Sequence, residues 1–284
     1  MDVSIIIVNY NTCAMTLECI DSIFKWTSGL DFEVIVVDND SSDDSRTVLG
    51  NDARIRFIES GANLGFGRAN NLALESAEGE YVLLLNSDTY LIGNAIYEMW
   101  KYFDASDLNI GALGTVLLDK DGKDSFSSAY FHNPWKILWM VFSQHCAHLT
   151  GKKIPYQMPA LSYDVTPESG YFDVDFVAGA DLMARRTTFE KFGKFDPEFF
   201  LYYEETEMQF RWKKAGLKNI VIPVRGICHL EGATTGSPQS DWRKRIQYES
   251  ERIYFRKTLP RLSYVVYAVI HTILYLPLTL RTRI

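Results

Sequence analysis

Carboxylates and amides stand at four places where a run of apolar residues has just ended. The clusters are Asn9-Tyr10-Asn11, Asp38-Asn39-Asp40-Ser41-Ser42-Asp43, Asn63-Leu64-Gly65-Phe66-Gly67-Arg68 and Asn86-Ser87-Asp88. Asn, Asp, Ser and Gly build turns and helix caps anywhere, so a single cluster carries little, and Ser42 alone reads well as a cap. Four in succession are harder to account for in that way. A cap needs one polar residue, not a carboxylate behind an apolar run at Asp38 and again at Asp88. A carboxylate there can accept hydrogen bonds or offer hard oxygen to a cation. A second constellation lies in FFLYYEETE, residues 199–207, where Glu204, Glu205 and Glu207 crowd beside Phe200, Tyr202 and Tyr203. Acidic residues favour helix N-termini, which accounts for one or two of the three. Aromatic surroundings exclude water and like charges repel, and both raise a carboxyl pKa as a general base requires.

Such groups need a scaffold that brings them together. Residues 3–8 (VSIIIV), 32–37 (FEVIVV), 55–58 and 81–85 (YVLLL) are apolar without alternation, as in strands buried on both faces. Helical segments over 15–26, 42–49 and 68–77 separate them. That order predicts βαβ units, a mainly parallel sheet and right-handed crossovers. Open sheets of this class bind ligands beyond the carboxyl ends of their strands, where the four clusters lie. Later, 110–118 reads as a strand entering a turn at Asp121-Gly122, and 187–192 and 204–215 as helices, the second closed by Gly216. Residues 174–179 mark the return of order, and 219–223 a last strand.

The totals exclude several classes. A chain of 284 residues, 47% hydrophobic, can bury one large α/β core. A net charge of -7 argues against a protein that coats nucleic acid, which needs clustered Lys and Arg. Cys13, Cys19, Cys146 and Cys228 form no CxxC pair, so neither a zinc knuckle nor a thioredoxin-type site is indicated, and scattered cysteines suit a reducing cytosol. Met1-Asp2 runs straight into the first strand with no basic n-region, the expectation for a chain without a secretory leader. A dinucleotide fold wants GxGxxG directly after the first strand; here stands Asn9-Tyr10-Asn11-Thr12, with no glycine until Gly29. A Walker loop is absent as well.

The pieces SIIIVNYN, VVDNDSSD, NLGFGRANN, LLLNSDT, VAGADLMARR, FDPEFFLYYEETEMQFRWKKAG and His229, in that order over about residues 3–235, resemble family 2 of the glycosyltransferases, of GT-A fold, and most of all its bacterial rhamnosyltransferase-like branch. The resemblance implies a metal-dependent, inverting sugar transfer from a dTDP- or UDP-sugar, rhamnose favoured, to a hydroxyl of a cell-envelope glycan or lipid-linked saccharide. It implies that Asp38 holds a pyrimidine base, with Asn9 and Asn11 in the same pocket. Asn63, Gly65 and Arg68 then form the nucleotide and diphosphate loop. Asn86-Ser87-Asp88 stands where the family usually has Asp-x-Asp, which leaves Asp88 as the direct metal ligand, with His229 as the distant one and Mn or Mg as the ion. Glu205 takes the place of the catalytic base, one methylene longer than the family's Asp. Asp181 and Glu204 are weaker candidates for contact with acceptor or donor sugar. Another donor, such as UDP-galactofuranose or UDP-N-acetylhexosamine, and a non-catalytic GT-A binding or assembly subunit are the alternatives.

Residues 1–235 are then one catalytic domain, with a nucleotide-sugar half over about 1–118 and an acceptor half over about 170–235, and 236–284 a helical extension. The stretch 124–170, rich in aromatics, reads as an insertion over the substrate. Residues 262–280 are almost free of charge between Arg261 and Arg281, with Tyr264, Tyr267 and Tyr275, but His271, Thr272 and Pro277 weaken a membrane span. They predict contact with a membrane surface, on the cytoplasmic face, with packing on protein as the competing expectation.

Overall fold

The computed structural model describes residues 1–150, 161, 163–165, 167–230 and 241–281, with side chains left out at 144, 145, 147–150, 241 and 275–281. The elements run β1 (Val3–Asn9), α1 (Cys13–Trp26), β2 (Phe32–Asp38), α2 (Ser45–Gly50), β3 (Arg56–Glu59), α3 (Phe66–Leu74), β4 (Tyr81–Asn86), β5 (Thr89–Leu91), α4 (Ala95–Ala105) and β6 (Ile110–Thr115). Then come β7 (Ser128–Ala129), α5 (Pro134–Thr150), β8 (Phe172–Val174), β9 (Phe176–Val177), β10 (Asp181–Arg185), α6 (Arg186–Phe192), α7 (Glu204–Lys214), β11 (Lys218–Ile222), β12 (Ile227–His229), α8 (Asp241–Thr258) and α9 (Arg261–Arg281).

The central sheet has the order β3-β2-β1-β4-β10-β6-β11-β8. Because both faces are buried, each strand is apolar throughout and sorts its side chains by parity. Val3, Ile5 and Ile7 of β1 face one core with α1 and α4; Ile6 faces the other with α3 and α7. The same split recurs in β2, with Val34 and Val36 on one side and Ile35 and Val37 on the other. The result is the layered α/β sandwich expected. Parallel pairing holds from β3 to β4 and between β6 and β11, while β10 runs antiparallel between β4 and β6, and β8 antiparallel to β11. β1 has β2 on one side and β4 on the other, so the strand order reverses at β1 and opens a crevice beyond its carboxyl end.

Two small ribbons complete the frame. β12 pairs antiparallel with β5, setting His229 opposite Thr89, and β7 pairs with β9. A third apolar cluster joins Ile137 and Val141 of α5, Phe199 and Tyr203 ahead of α7, Tyr254 of α8 and Tyr267 of α9. The insertion 124–170 therefore contributes a helix that packs with the C-terminal pair. The boundary at 235/236 and residues 151–160, 162 and 166 of the insertion lie outside the described residues.

Two local expectations are corrected. Ser42 caps no helix: α2 begins at Ser45, where Asp43 Oδ1 accepts the Ser45 N–H at 3.1 Å, and Ser42 donates instead to Asn11. The strand read as 110–118 ends at Thr115, and the turn after it is built by Asp119 Oδ1, which accepts the N–H of Asp121 and of Lys123.

Candidate active site

β1 and β2 end in register, so Asn9 lies beside Asp38. Asn9 donates from Nδ2 to Asp38 Oδ1 at 2.7 Å and to Ser41 Oγ at 3.0 Å. Its Oδ1 accepts the hydroxyls of Thr12 at 2.9 Å and Thr16 at 2.7 Å, and Thr12 reaches on to Ser87 Oγ at 3.2 Å. One buried amide thus ties three strand ends together. Asp38 is 1% exposed, and its second oxygen accepts the Ser41 N–H at 3.1 Å. Each carboxylate oxygen has about two lone pairs, so Asp38 retains capacity for one further donor on each. Asn11, in the left-handed region at φ 55, accepts both the N–H and the hydroxyl of Ser42 and so locks the first loop to the second.

The third loop hangs on Asn39. Its Nδ2 donates to Asn63 Oδ1 at 3.1 Å and its Oδ1 accepts the Leu64 N–H at 2.8 Å. Asn63 Oδ1 also takes the Gly65 N–H at 3.0 Å. Gly65 has φ 77, and a methyl placed on it would stand 2.0 Å from the Phe200 carbonyl oxygen, so only glycine fits. The next N–H, of Phe66, donates to that carbonyl at 3.1 Å. Arg68 bonds from Nε to Leu64 O at 2.7 Å and holds its guanidinium over the Phe200 ring.

At the end of β4, Asp88 is 5% exposed and its Oδ1 lies 3.3 Å from His229 Nε2. His229 Nε2 is also 3.4 Å from Asn86 Nδ2, although 143 residues separate the two in sequence. The β5–β12 ribbon causes this approach, aided by the Leu230 N–H on the Asp88 carbonyl at 2.9 Å. Among the described residues no group of three or more His, Cys, Asp or Glu is arranged as a metal cluster. The pair itself would fit one divalent ion: two ligand atoms at metal distances of about 2.1 Å sit about 3 Å apart.

The segment 179–181 bridges this site to the glutamates. The Asn86 N–H donates to Ala180 O at 3.0 Å. Gly179 fills the space between Phe66 and Glu205; a methyl there would meet the Phe66 ring at 3.4 Å and Glu205 Cγ at 3.7 Å. Asp181 is wholly buried, and Oδ2 accepts the Thr115 N–H at 2.7 Å and its hydroxyl at 2.6 Å. Burial pushes the Asp181 carboxyl up to about 7, against the lowering by Thr115 and by nearby His229.

The three glutamates have three environments. Glu207 pairs with Arg211 at 2.9 Å, as their i,i+4 spacing predicts, and burial still raises its carboxyl above the usual range. Glu204 is 2% exposed; burial and the neighbouring Glu205 charge hold its carboxyl well above the usual range. Glu205 is half-buried and packs beside Gly179, with its carboxyl raised by burial. Gln209, one turn on, is occupied on both sides by the Val177 backbone, so it brings no charge to Glu205.

The model of the family described as "Glycosyl transferase family 2" matches residues 4–163. The chain belongs to glycosyl transferase family 2. Among curated relatives of this glycosyltransferase, the low-salt glycan biosynthesis hexosyltransferase Agl10 of Haloferax volcanii is 26% identical over 283 residues, 95% of this chain and 81% of the relative. The N-acetylglucosaminyl-diphospho-decaprenol L-rhamnosyltransferase of Mycobacterium tuberculosis is 24% identical over 225 residues, 72% of this chain and 68% of the relative. Among solved structures, GalNAc-T7 with UDP, GalNAc and Mn2+ superimposes with a TM-score of 0.60 at 16% identity, over 92% of this chain and 52% of that one. The expected GT-A fold is therefore the fold of this family 2 glycosyltransferase.

Of the sequence candidates, Asn9, Asn11, Asp38, Asn63, Gly65, Asn86, Ser87, Asp88 and His229 gather beyond the ends of β1, β2 and β4, and Arg68 turns onto Leu64 O and the Phe200 ring; Asp181 ends the 179–181 segment on Thr115, and Glu205, with Glu204 next to it, lies by Gly179. The hubs Asn39, Thr12 and Thr115 were missed. Thr115 falls inside the apolar run 110–118 and so gives no strand-end signal, while Asn39 stands between the more conspicuous carboxylates of Asp38 and Asp40.

Proposed function

We propose that the enzyme is an inverting hexosyltransferase that moves a sugar, rhamnose favoured, from a dTDP- or UDP-sugar to a hydroxyl of a lipid-linked or cell-envelope glycan. The approach of Asp88 and His229 to 3.3 Å at the end of β4 carries this reading, because it assembles a carboxylate and an imidazole where a nucleoside diphosphate would lie. Asp38 accepts the N3–H of uracil or thymine, a donor that adenine lacks, with Asn9 and Asn11 shaping the pocket. Asn63, Gly65, Arg68, Asn86 and Ser87 surround the diphosphate. Asp88 and His229 hold a divalent ion, Mn or Mg, which when bound supplies charge to neutralise the leaving diphosphate. Glu205 takes the proton of the acceptor hydroxyl, whose oxygen attacks the anomeric carbon opposite the diphosphate; the C–O bond to the nucleotide breaks as the new one forms. Asp181 and Glu204, both buried, back the sugar side from beneath its surface.

The relatives named as a rhamnosyltransferase and a hexosyltransferase support the sugar class, and the decaprenol-linked acceptor of the mycobacterial relative supports a lipid-linked one. No described helix is long and apolar enough to cross a membrane. A peripheral place on the inner face of the membrane is supported by α9, which exposes Leu262, Val265, Val269 and Ile273 and has no acidic residue, and by exposed Trp135 and Trp139 on α5, which packs beside it.

Calorimetric titration of UDP, dTDP, GDP and ADP, with Mn and with EDTA, tests the reading. A pyrimidine nucleotide binds tightest, its affinity falls in EDTA, and Asp88→Ala and His229→Ala each lose the Mn-dependent part. Tighter binding of a purine nucleotide, or Mn dependence that survives both substitutions, contradicts it.

A further inference from the structure

The turn that delivers Glu204 and Glu205 is conformationally unusual. Tyr202 and Tyr203 have φ 69 and φ 67, two successive left-handed residues without a glycine. L-residues stay in that region only where their surroundings hold them, and such turns gather at functional sites. Tyr203 is the residue before α7, and its carbonyl accepts the Glu207 N–H at 2.8 Å, so its conformation aims the first turn of the helix and both glutamates with it.

Two consecutive residues of α8 grip this turn. Ser250, 2% exposed, donates its hydroxyl to the Leu201 carbonyl at 2.7 Å. Glu251, 5% exposed, accepts the Tyr203 hydroxyl on Oε2 at 3.3 Å. The other oxygen of Glu251 is held from α9: the Tyr267 hydroxyl donates to it at 2.5 Å and His271 Nε2 lies 2.9 Å away, both residues wholly buried. A glutamate inside an apolar cluster is costly unless every oxygen is bonded, and here the bonds come from the catalytic turn on one side and the C-terminal helix on the other.

We propose that Glu251 is a positioning residue for the transfer reaction: it fixes Tyr203 in its left-handed conformation and so sets the Glu204–Glu205 pair, and it makes α9 a structural part of the active site. This rests on the reading of Glu205 as the base. The C-terminal helix then has a role in turnover that is independent of any membrane contact.

The test is a set of full-length variants, Tyr203→Phe, Glu251→Ala, Glu251→Gln and Glu205→Gln, assayed with a water-soluble acceptor at a temperature where circular dichroism finds each folded. Tyr203→Phe keeps the ring and removes the hydroxyl that makes the link; displacement of a catalytic group by about 1 Å can cost about 100-fold, so kcat falls about 10- to 100-fold while nucleoside diphosphate affinity holds. Glu251→Ala behaves alike, and Glu251→Gln, which still bonds both sides, returns kcat to within about threefold of wild type. Lower melting temperatures with wild-type kcat in Tyr203→Phe and Glu251→Ala would reduce Glu251 to a packing residue and overturn the proposal. Should Glu251→Ala fail to fold, Tyr203→Phe decides alone. An inactive Glu205→Gln beside a fully active Tyr203→Phe refutes the positioning role only; a fully active Glu205→Gln refutes the base assignment and this role with it.

Discussion

The Phe200 carbonyl rests against Gly65 so closely that a methyl on that glycine would stand 2.0 Å from the oxygen. The contact joins the loop after β3 to the turn before α7, two segments that on the proposed function meet one substrate at its diphosphate and at its acceptor side.

Gly65→Ala is therefore expected to cost more than a surface change. The left-handed φ alone costs about 1–2 kcal/mol for an L-residue, and the clash with backbone adds to it. Thermal unfolding should shift by on the order of 5 °C or more, and nucleotide affinity should fall with it. A variant that melts and binds as the wild type contradicts the contact.

Asp181 sets the sign of a pH effect. Its folded-state carboxyl titrates near about 7, against about 3.9 for a free aspartate. The folded chain therefore binds more protons between those values. The contribution is fully present below about pH 4 and is lost as pH rises toward about 7. Asp181→Asn keeps an acceptor for Thr115 but cannot titrate. In EDTA, the drop in melting temperature from pH 5 to pH 8 should be smaller in the variant; an unchanged drop would show that Asp181 is ionised throughout.

The exposed face of α9 makes a third expectation. Val265 and Val269 are 50% and 56% exposed and point away from Tyr267 and His271, which are buried. Val265→Asp with Val269→Asp should lower pelleting with anionic liposomes by roughly tenfold or more and leave turnover on a soluble acceptor intact. Equal pelleting of both proteins would remove α9 as the contact surface.

Much of this architecture was legible in the chain. Apolar runs without alternation gave β1, β2 and β4 within a residue, because strands buried on both faces leave no other signature, and amides or carboxylates at their ends marked the rim. The antiparallel β10 was not legible, since DLMAR reads alike in either direction and only the return of the chain past α5 decides its sense. Nor was the role of α9: an uncharged stretch between arginines reads as lipid-facing, yet Tyr267 and His271 turn inward to a glutamate on α8. Glu251 sits in a charged run with no local sign that it is buried. Long-range pairings of this kind are set by tertiary packing and leave no periodic trace.

The proposed role of Glu205 as base is read out by kcat together with nucleotide affinity for Gln at 204, 205 and 207. Glu207 is neutralised by Arg211 and Glu204 is closed off from solvent, so only Glu205 combines a raised carboxyl with an open side. Glu205→Gln should lower kcat by about 10²–10⁴-fold with donor affinity nearly unchanged, and the wild-type kcat should rise with pH through a limb above the usual carboxylate range. Wild-type turnover in Glu205→Gln with a dead Glu204→Gln would contradict the account and move the base by one residue.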